Sequence, residues 1–268
     1  MERPTFGFIG TGNMGGALYR AARQSVEAEQ LFLANRSPAK AEALAHELGG
    51  TLLSVREIAA KCQYIFLGVK PQTLPELMQE IVPALTARQD RFVLVSMAAG
   101  VSIARLRQLC NGEYPVIRIC PNTPVGVGRG LVVWCADGVT PAETETLLSA
   151  MQCSGTWDEC TESLMDAASV VGGCTPAFAY MFIEALADGG VRSGLPRKKA
   201  LLYAAKAVEG AAYLAQQGEH PGALKDAVCS PGGSTIVGVN TLEEHAFRAA
   251  AMDAVCAAVE KTTQMGRK

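Results

Sequence analysis

Residues 5–15 constrain the fold more tightly than any other stretch. Thr5-Phe6-Gly7-Phe8-Ile9 is apolar and strand-like, and it runs without a linker into Gly10-Thr11-Gly12-Asn13-Met14-Gly15. The glycines at 10, 12 and 15 fit G-x-G-x-x-G. Gly10 lets the chain turn tightly, Gly12 lets backbone approach a pyrophosphate, and Gly15 lets the next helix close on the strand. That helix is expected to open at Asn13 and to carry Leu18, Tyr19 and Ala22 on one face. Its unpaired amides and positive dipole end suit phosphate. A glycine turn alone would be a weak sign, because a purely structural βα turn can look the same. Strand, turn and helix in immediate succession point to a dinucleotide site, with the structural turn as the alternative.

The same alternation continues to about residue 160. Further strands are expected at 31–34, 51–53, 64–67, 92–96, 116–119, 131–135 and 155–158, with helices between them. Ser37-Pro38 and Pro141 open two of these helices, and Gly49 closes the first. Short apolar strands alternating with helices predict an α/β fold, a doubly wound and mainly parallel sheet of Rossmann type. Ligands in such sheets bind beyond the carboxyl ends of the strands. The clusters at those ends are therefore the candidate cofactor contacts: Gly10, Thr11, Gly12, Asn13 and Met14; Asn35, Arg36 and Ser37; Val69, Lys70 and Pro71; Ala98 and Ala99; and Asn122.

The second strand end discriminates between cofactors. NAD-preferring sites place a carboxylate there, on the ribose hydroxyls. Here the residues are Asn35-Arg36-Ser37, a guanidinium and a hydroxyl that would accept a 2′-phosphate. The expectation is NADP, with NADPH preferred over NADH. Arg36 as an ordinary solvated charge is the plain alternative.

From Thr161, expected as an N-cap, the pattern holds helices and no convincing strand. Residues 167–183 carry no charge, but Gly172, Gly173 and Pro176 interrupt them, which argues against a membrane span. Helices are expected from Pro176 to Gly189-Gly190, from Pro196 to Gln217-Gly218 and over 246–263. About a hundred mostly apolar helical residues cannot cover all their own faces, so burial against a second subunit is expected. The domain division predicted is 1–160 for the dinucleotide and 161–268 for a helical substrate and dimerisation domain. One loop there, Ser230-Pro231-Gly232-Gly233-Ser234-Thr235, sets a bare turn before a helix. Its amides could hold a small carboxylate and Thr235 offers a hydroxyl. A plain capped helix start has the same outline.

Composition excludes several classes. The net charge of −2 gives no ground for a nucleic-acid or anionic-membrane partner. Nine cysteines form no C-x-x-C pair and read as buried thiols of a reducing compartment. The three histidines, His46, His220 and His245, lie far apart, so no metal is expected. The first strand starts within a few residues of Met1, leaving no room for a leader, and the expectation is a cytoplasmic protein.

Several stretches together resemble pyrroline-5-carboxylate reductase. They are Gly7-Phe8-Ile9-Gly10-Thr11-Gly12-Asn13-Met14, Val69-Lys70-Pro71-Gln72, Arg118-Ile119-Cys120-Pro121-Asn122-Thr123-Pro124 and Leu164-Met165-Asp166-Ala167. Ala185-Leu186-Ala187-Asp188-Gly189-Gly190, His220-Pro221-Gly222-Ala223-Leu224-Lys225-Asp226 and, most specific, Ser230-Pro231-Gly232-Gly233-Ser234-Thr235 complete the set. The resemblance implies a homodimer, sometimes a ring of dimers. It implies substrate binding at Gly232, Gly233, Ser234 and Thr235 and near Glu162, and reduction of a cyclic imine to proline. Thr235 is the candidate catalytic hydroxyl. Gly172, Cys174, Thr175 and Cys120 depart from the family pattern, which touches substrate shape or subunit packing rather than reaction class. A β-hydroxyacid dehydrogenase would share the opening motif, but Lys206 and Lys225 lack the flanking residues of its catalytic lysine. A non-catalytic NADP sensor would leave the Pro231-Gly232-Gly233 turn without purpose.

Overall fold

The computed structural model describes residues 3–266. Eight strands form one sheet: β1 Phe6–Ile9, β2 Leu31–Ala34, β3 Thr51–Leu52, β4 Tyr64–Leu67, β5 Val93–Ser96, β6 Val116–Pro121, β7 Gly130–Asp137 and β8 Gly155–Glu159. Their order is β3-β2-β1-β4-β5-β6-β7-β8. β1 to β6 are parallel, whereas β7 runs antiparallel to β6, so the sheet is mainly rather than wholly parallel. The chain reverses its direction of winding between β1 and β4, which opens a crevice at their carboxyl ends.

Helices α1 Asn13–Ala22, α2 Pro38–Leu48, α3 Val55–Lys61, α4 Leu74–Thr86, α5 Ile103–Cys110, α6 Pro141–Ala150 and α7 Met165–Gly173 accompany the sheet. Two of them start on reciprocal capping boxes, Ser54 with Glu57 and Thr140 with Glu143. Ser37 occupies the N-cap position of α2 as expected, but its hydroxyl makes no capping bond. Thr161 heads a short 3-10 turn, and its hydroxyl meets that of Ser163 instead of an amide.

Each face of the sheet carries its own apolar core. On one face Phe8 stacks on Phe66 with ring centroids 4.3 Å apart and meets Tyr19 edge-on. Each such ring, fully buried, is worth about 1.5–3 kcal/mol. Tyr19 donates its hydroxyl to Gly49 O at 2.6 Å, and burial pushes that phenol up to about 12. Cys62 and Cys110 lie in the opposite core, where burial pushes both thiols up to about 12 and leaves them inert.

The chain divides into two compact units, one of residues 1–174 with 258–268 and one of 175–257. The first unit thus runs past residue 160 and includes α7. Arg118 on β6 pairs with Glu162 and Asp166, and α7 packs along β6 and β7, so the start of the helical half is joined to the sheet. The second unit contains α8 Thr175–Arg192, α9 Arg197–Ala215, α10 Pro221–Ala227, α11 Ser234–Glu244 and most of α12 Phe247–Gly266. Its buried core is Ala187, Ala200 and Ala204, with Ile183 and Val191 packed against them. Meanwhile Met181, Tyr213, Val237 and Met252 are each more than 60% exposed. A core of three alanines cannot hold five helices, so these faces need a further surface to cover them. The helical stretch Glu162–Arg192 is long and apolar enough to cross a membrane by length and composition.

The glycine at 15 gives a direct test of how α1 is held. A Cβ there would stand 2.0 Å from Gly10 O, a backbone atom that cannot move aside. Gly15→Ala gains roughly 1 kcal/mol of helix propensity but meets overpacking worth about 1–3 kcal/mol. The clash should win, and urea unfolding should show a lower midpoint.

Candidate functional site

The three glycines of the first turn perform three different tasks. Gly10 has φ +96°, and a Cβ on it would lie 2.5 Å from Gly68 O. Gly68 donates its amide to Ile9 O at 2.7 Å, so the ends of β1 and β4 touch through glycine on both sides. Gly15 provides the helix approach described above. Gly12 is the N-cap of α1, brings no side-chain cap, and has nothing within 4 Å of where its Cβ would be. Its bareness therefore serves something other than the protein's own packing.

Thr11 supplies a second mark. Its hydroxyl is buried and finds no hydrogen-bond partner among the described residues. Orphaned buried hydroxyls are uncommon and call for an explanation. A pyrophosphate laid on the turn fits both observations, since it would give the hydroxyl an acceptor and fill the space over Gly12. Thr11, Gly12 and Asn13 line a cleft of about 350 Å³ that continues between α1 and α2 to Lys40.

At the end of β2, Asn35 donates its side-chain amide to Ser37 O at 3.0 Å, which shapes the corner into α2. Arg36 is exposed, and the uncapping Ser37 keeps its hydroxyl for another partner. At the end of β4, Val69 is half-buried, Lys70 is exposed, and Pro71 begins a 3-10 turn closed by Thr73 on Lys70 O. Beyond β5, Ala98 is buried and Ala99 exposed, and Val101 bonds back to Ala98 O at 3.2 Å. Met14 is half-buried and packs on the core beneath. Asn122 is different. Its amide donates to Gly172 O at 3.0 Å and accepts from Leu131 N at 2.9 Å. Its side chain is thus engaged in tying β6 to β7 and α7.

Glu162 sits beside Arg118 and accepts the Ile103 amide at 2.7 Å through Oε1. It also borders a cleft of about 630 Å³ with Ile103, Arg107, Cys135 and Cys160. That cleft opens over the sheet face, not at the carboxyl ends of the parallel strands. In the second unit, Gly232 has φ +68° and Gly233 caps α11. Gly233 donates its amide to Ser230 O at 3.0 Å, whereas no such bond engages the amide of Gly232 or Ser234 among the described residues. The sequence had offered all three amides to a carboxylate, but the turn itself uses the middle one. Thr235 lies in the first turn of α11, exposed.

Three residues escaped the sequence reading. Gly68 is a glycine after an apolar strand, and its pairing with Gly10 could not be inferred without strand order. Lys40 stands in the first turn of α2, where only the fold brings it to Gly12. Arg118 did leave a signal: a charge inside the apolar run Val116-Ile117-Arg118-Ile119.

A glycine turn at the switch point of a doubly wound sheet defines a dinucleotide-dependent oxidoreductase. The comparisons agree. The family model described as NADP oxidoreductase, coenzyme F420-dependent, matches residues 5–100, and the one described as pyrroline-5-carboxylate reductase dimerisation matches 162–265. The chain is 39% identical to the pyrroline-5-carboxylate reductase of Escherichia coli, over 97% of this chain and 98% of that one. It is 37% identical to that of Pisum sativum, over 97% and 96%. The crystal structure of Plasmodium falciparum pyrroline carboxylate reductase with NADP bound superposes with a TM-score of 0.88 at 30% identity, covering 99% of both chains. The chain belongs to the pyrroline-5-carboxylate reductase family.

The openness at Gly12 separates binding from folding. Gly12→Val should leave the unfolding free energy measured in urea within about 1 kcal/mol of the parent, because the new side chain enters open space. The same substitution should abolish the fluorescence change of NADPH on titration with protein.

Proposed function

We propose that this chain reduces the C=N bond of 1-pyrroline-5-carboxylate to L-proline, with NADPH as the reductant. The observation that carries the reading is the match to pyrroline-5-carboxylate reductases along essentially the whole chain. The open Gly12 and orphaned Thr11 hydroxyl support a dinucleotide in the first unit. When bound, the reduced nicotinamide supplies the hydride.

The chain's own residues bind, orient and neutralise. The turn at Gly10, Thr11, Gly12, Asn13 and Met14 takes the pyrophosphate. Arg36 and Ser37 take the 2′-phosphate, with Asn35 shaping their corner and Lys40 adding a second cation. Val69, Lys70, Pro71, Ala98 and Ala99 form the wall toward the nicotinamide. Asn122 contributes by holding the end of β6 in place. The free amides of Gly232 and Ser234 hold the substrate carboxylate, on a turn closed by Gly233. Glu162 has Oε2 left for the substrate side. Thr235 Oγ1 hydrogen-bonds the ring nitrogen, which as an iminium already carries its proton. Orientation and electrostatics then suffice without a dedicated acid.

We further assign residues 1–160 to cofactor binding and 161–268 to substrate binding and dimerisation. The uncovered apolar residues of the second unit pack on a second copy of the chain, and dimers can associate into a ring. A protein partner also explains the apolar stretch Glu162–Arg192 without a bilayer, consistent with a soluble cytoplasmic enzyme.

Purified protein should oxidise NADPH when given pyrroline-5-carboxylate, faster than with NADH, and Thr235→Ala should lower kcat/KM about 10- to 1000-fold. Parental kinetics in that variant would remove the hydroxyl from the mechanism. Sedimentation velocity without detergent should give a dimer or a multiple of it, and a monomer would count against the covered-face argument.

A further inference from the structure

The sheet face that carries Ser96 also carries a buried cation. Arg118 pairs in register with Ser96, the last residue of β5, and is only 6% exposed. Its Nη2 donates to Asp166 Oδ1 at 2.8 Å, and its Nη1 lies 3.5 Å from Glu162 Oε1. The same Glu162 oxygen accepts the amide of Ile103, the first residue of α5, at 2.7 Å. Ser102 already caps α5 in the ordinary way, accepting from the Arg105 amide at 3.1 Å. Glu162 adds a second acceptor at this helix start, on the first amide, brought from 59 residues away and held by a buried guanidinium.

Burying an ion pair is a poor way to gain stability, because desolvation offsets most of the attraction. What it does provide is fixed geometry. Residues 97–102 leave β5 beside Arg118 and enter α5 at the amide that Glu162 holds. Both ends of this loop are therefore referred to one side chain. Inside the loop, Ala98 N is 3.5 Å from Ser96 Oγ and Val101 bonds to Ala98 O at 3.2 Å.

We propose that Arg118 is a positioning residue for the reduction: acting through Glu162 and the Ile103 amide, it fixes the loop carrying Ala98 and Ala99. The inference rests on the reductase reading, in which that loop forms the nicotinamide wall. Displacing such a wall by about an ångström lowers kcat by up to about 100-fold without touching the phosphate contacts.

The test uses the full chain and its Arg118→Met, Arg118→Lys, Glu162→Gln and Arg118→Met/Glu162→Gln variants. Two readouts are taken: kinetics with pyrroline-5-carboxylate and NADPH, and amide exchange of the peptide spanning 97–105 in protein without cofactor. Arg118→Met should lower kcat about 10- to 100-fold, with KM for NADPH within about threefold. Exchange across 97–105 should quicken while the β1 and β4 peptides stay protected. The double variant should be no slower than the worse single one, since both substitutions cut the same connection. Arg118→Lys should recover part of kcat, because a lysine reaches one carboxylate. Parental kcat in Arg118→Met, additive losses in the double variant, or unchanged exchange would each overturn the role. If Arg118→Met does not fold, Arg118→Lys decides by the same two readouts, and Glu162→Gln by amide exchange alone, because Glu162 also faces the substrate in the proposed reading. A parent that does not turn over overturns the reductase reading and this proposal together; an active parent with unaffected variants overturns this proposal alone.

Discussion

The contact on which the site depends is the meeting of backbone with backbone at the ends of β1 and β4. Gly10 O, Gly68 O and the start of α1 crowd into a space where no Cβ could stand. Only because three glycines allow this approach can α1 point its N-terminus at the crevice. The partial positive charge of that helix end then lies where the sheet reverses its winding. A side chain at Gly10 or Gly15 would push the helix outward and misdirect every amide it offers.

Around this contact the first unit separates rigidity from reception. The aromatic stack of Phe8 and Phe66, with Tyr19 edge-on, anchors the strands just behind the turn. Asn122, by contrast, spends its amide on Gly172 and Leu131 and holds the far end of β6. In front of these lie the groups with unspent capacity: the Thr11 hydroxyl, the bare Gly12, the uncapping Ser37 and the exposed Arg36 and Lys70.

The second unit follows another logic. Its helices close on a small alanine core and leave tyrosines, leucines and methionines outside. So small a core leaves these faces in need of a further surface, in keeping with the dimerisation model that matches residues 162–265. Its Ser230–Gly233 turn shows the same economy as the first: one amide closes the turn and its neighbours remain available.

Much of this was legible in the chain itself. Period, punctuation and glycine spacing are local properties, so strand positions, helix starts and the tasks of Gly10, Gly12 and Gly15 could be read directly. The corner Asn35-Arg36-Ser37 before α2 could be placed for the same reason. What the linear order could not contain was pairing between distant elements. That Gly68 must be glycine because of Gly10, that Lys40 lines the same cleft as Gly12, that β7 reverses, and that Glu162 caps a helix 59 residues earlier under Arg118 are facts of strand order and burial. The first compact unit likewise runs to Cys174, because α7 lies along β6 and β7 and Arg118 pairs with Glu162 and Asp166, whereas composition already changes where the helices begin.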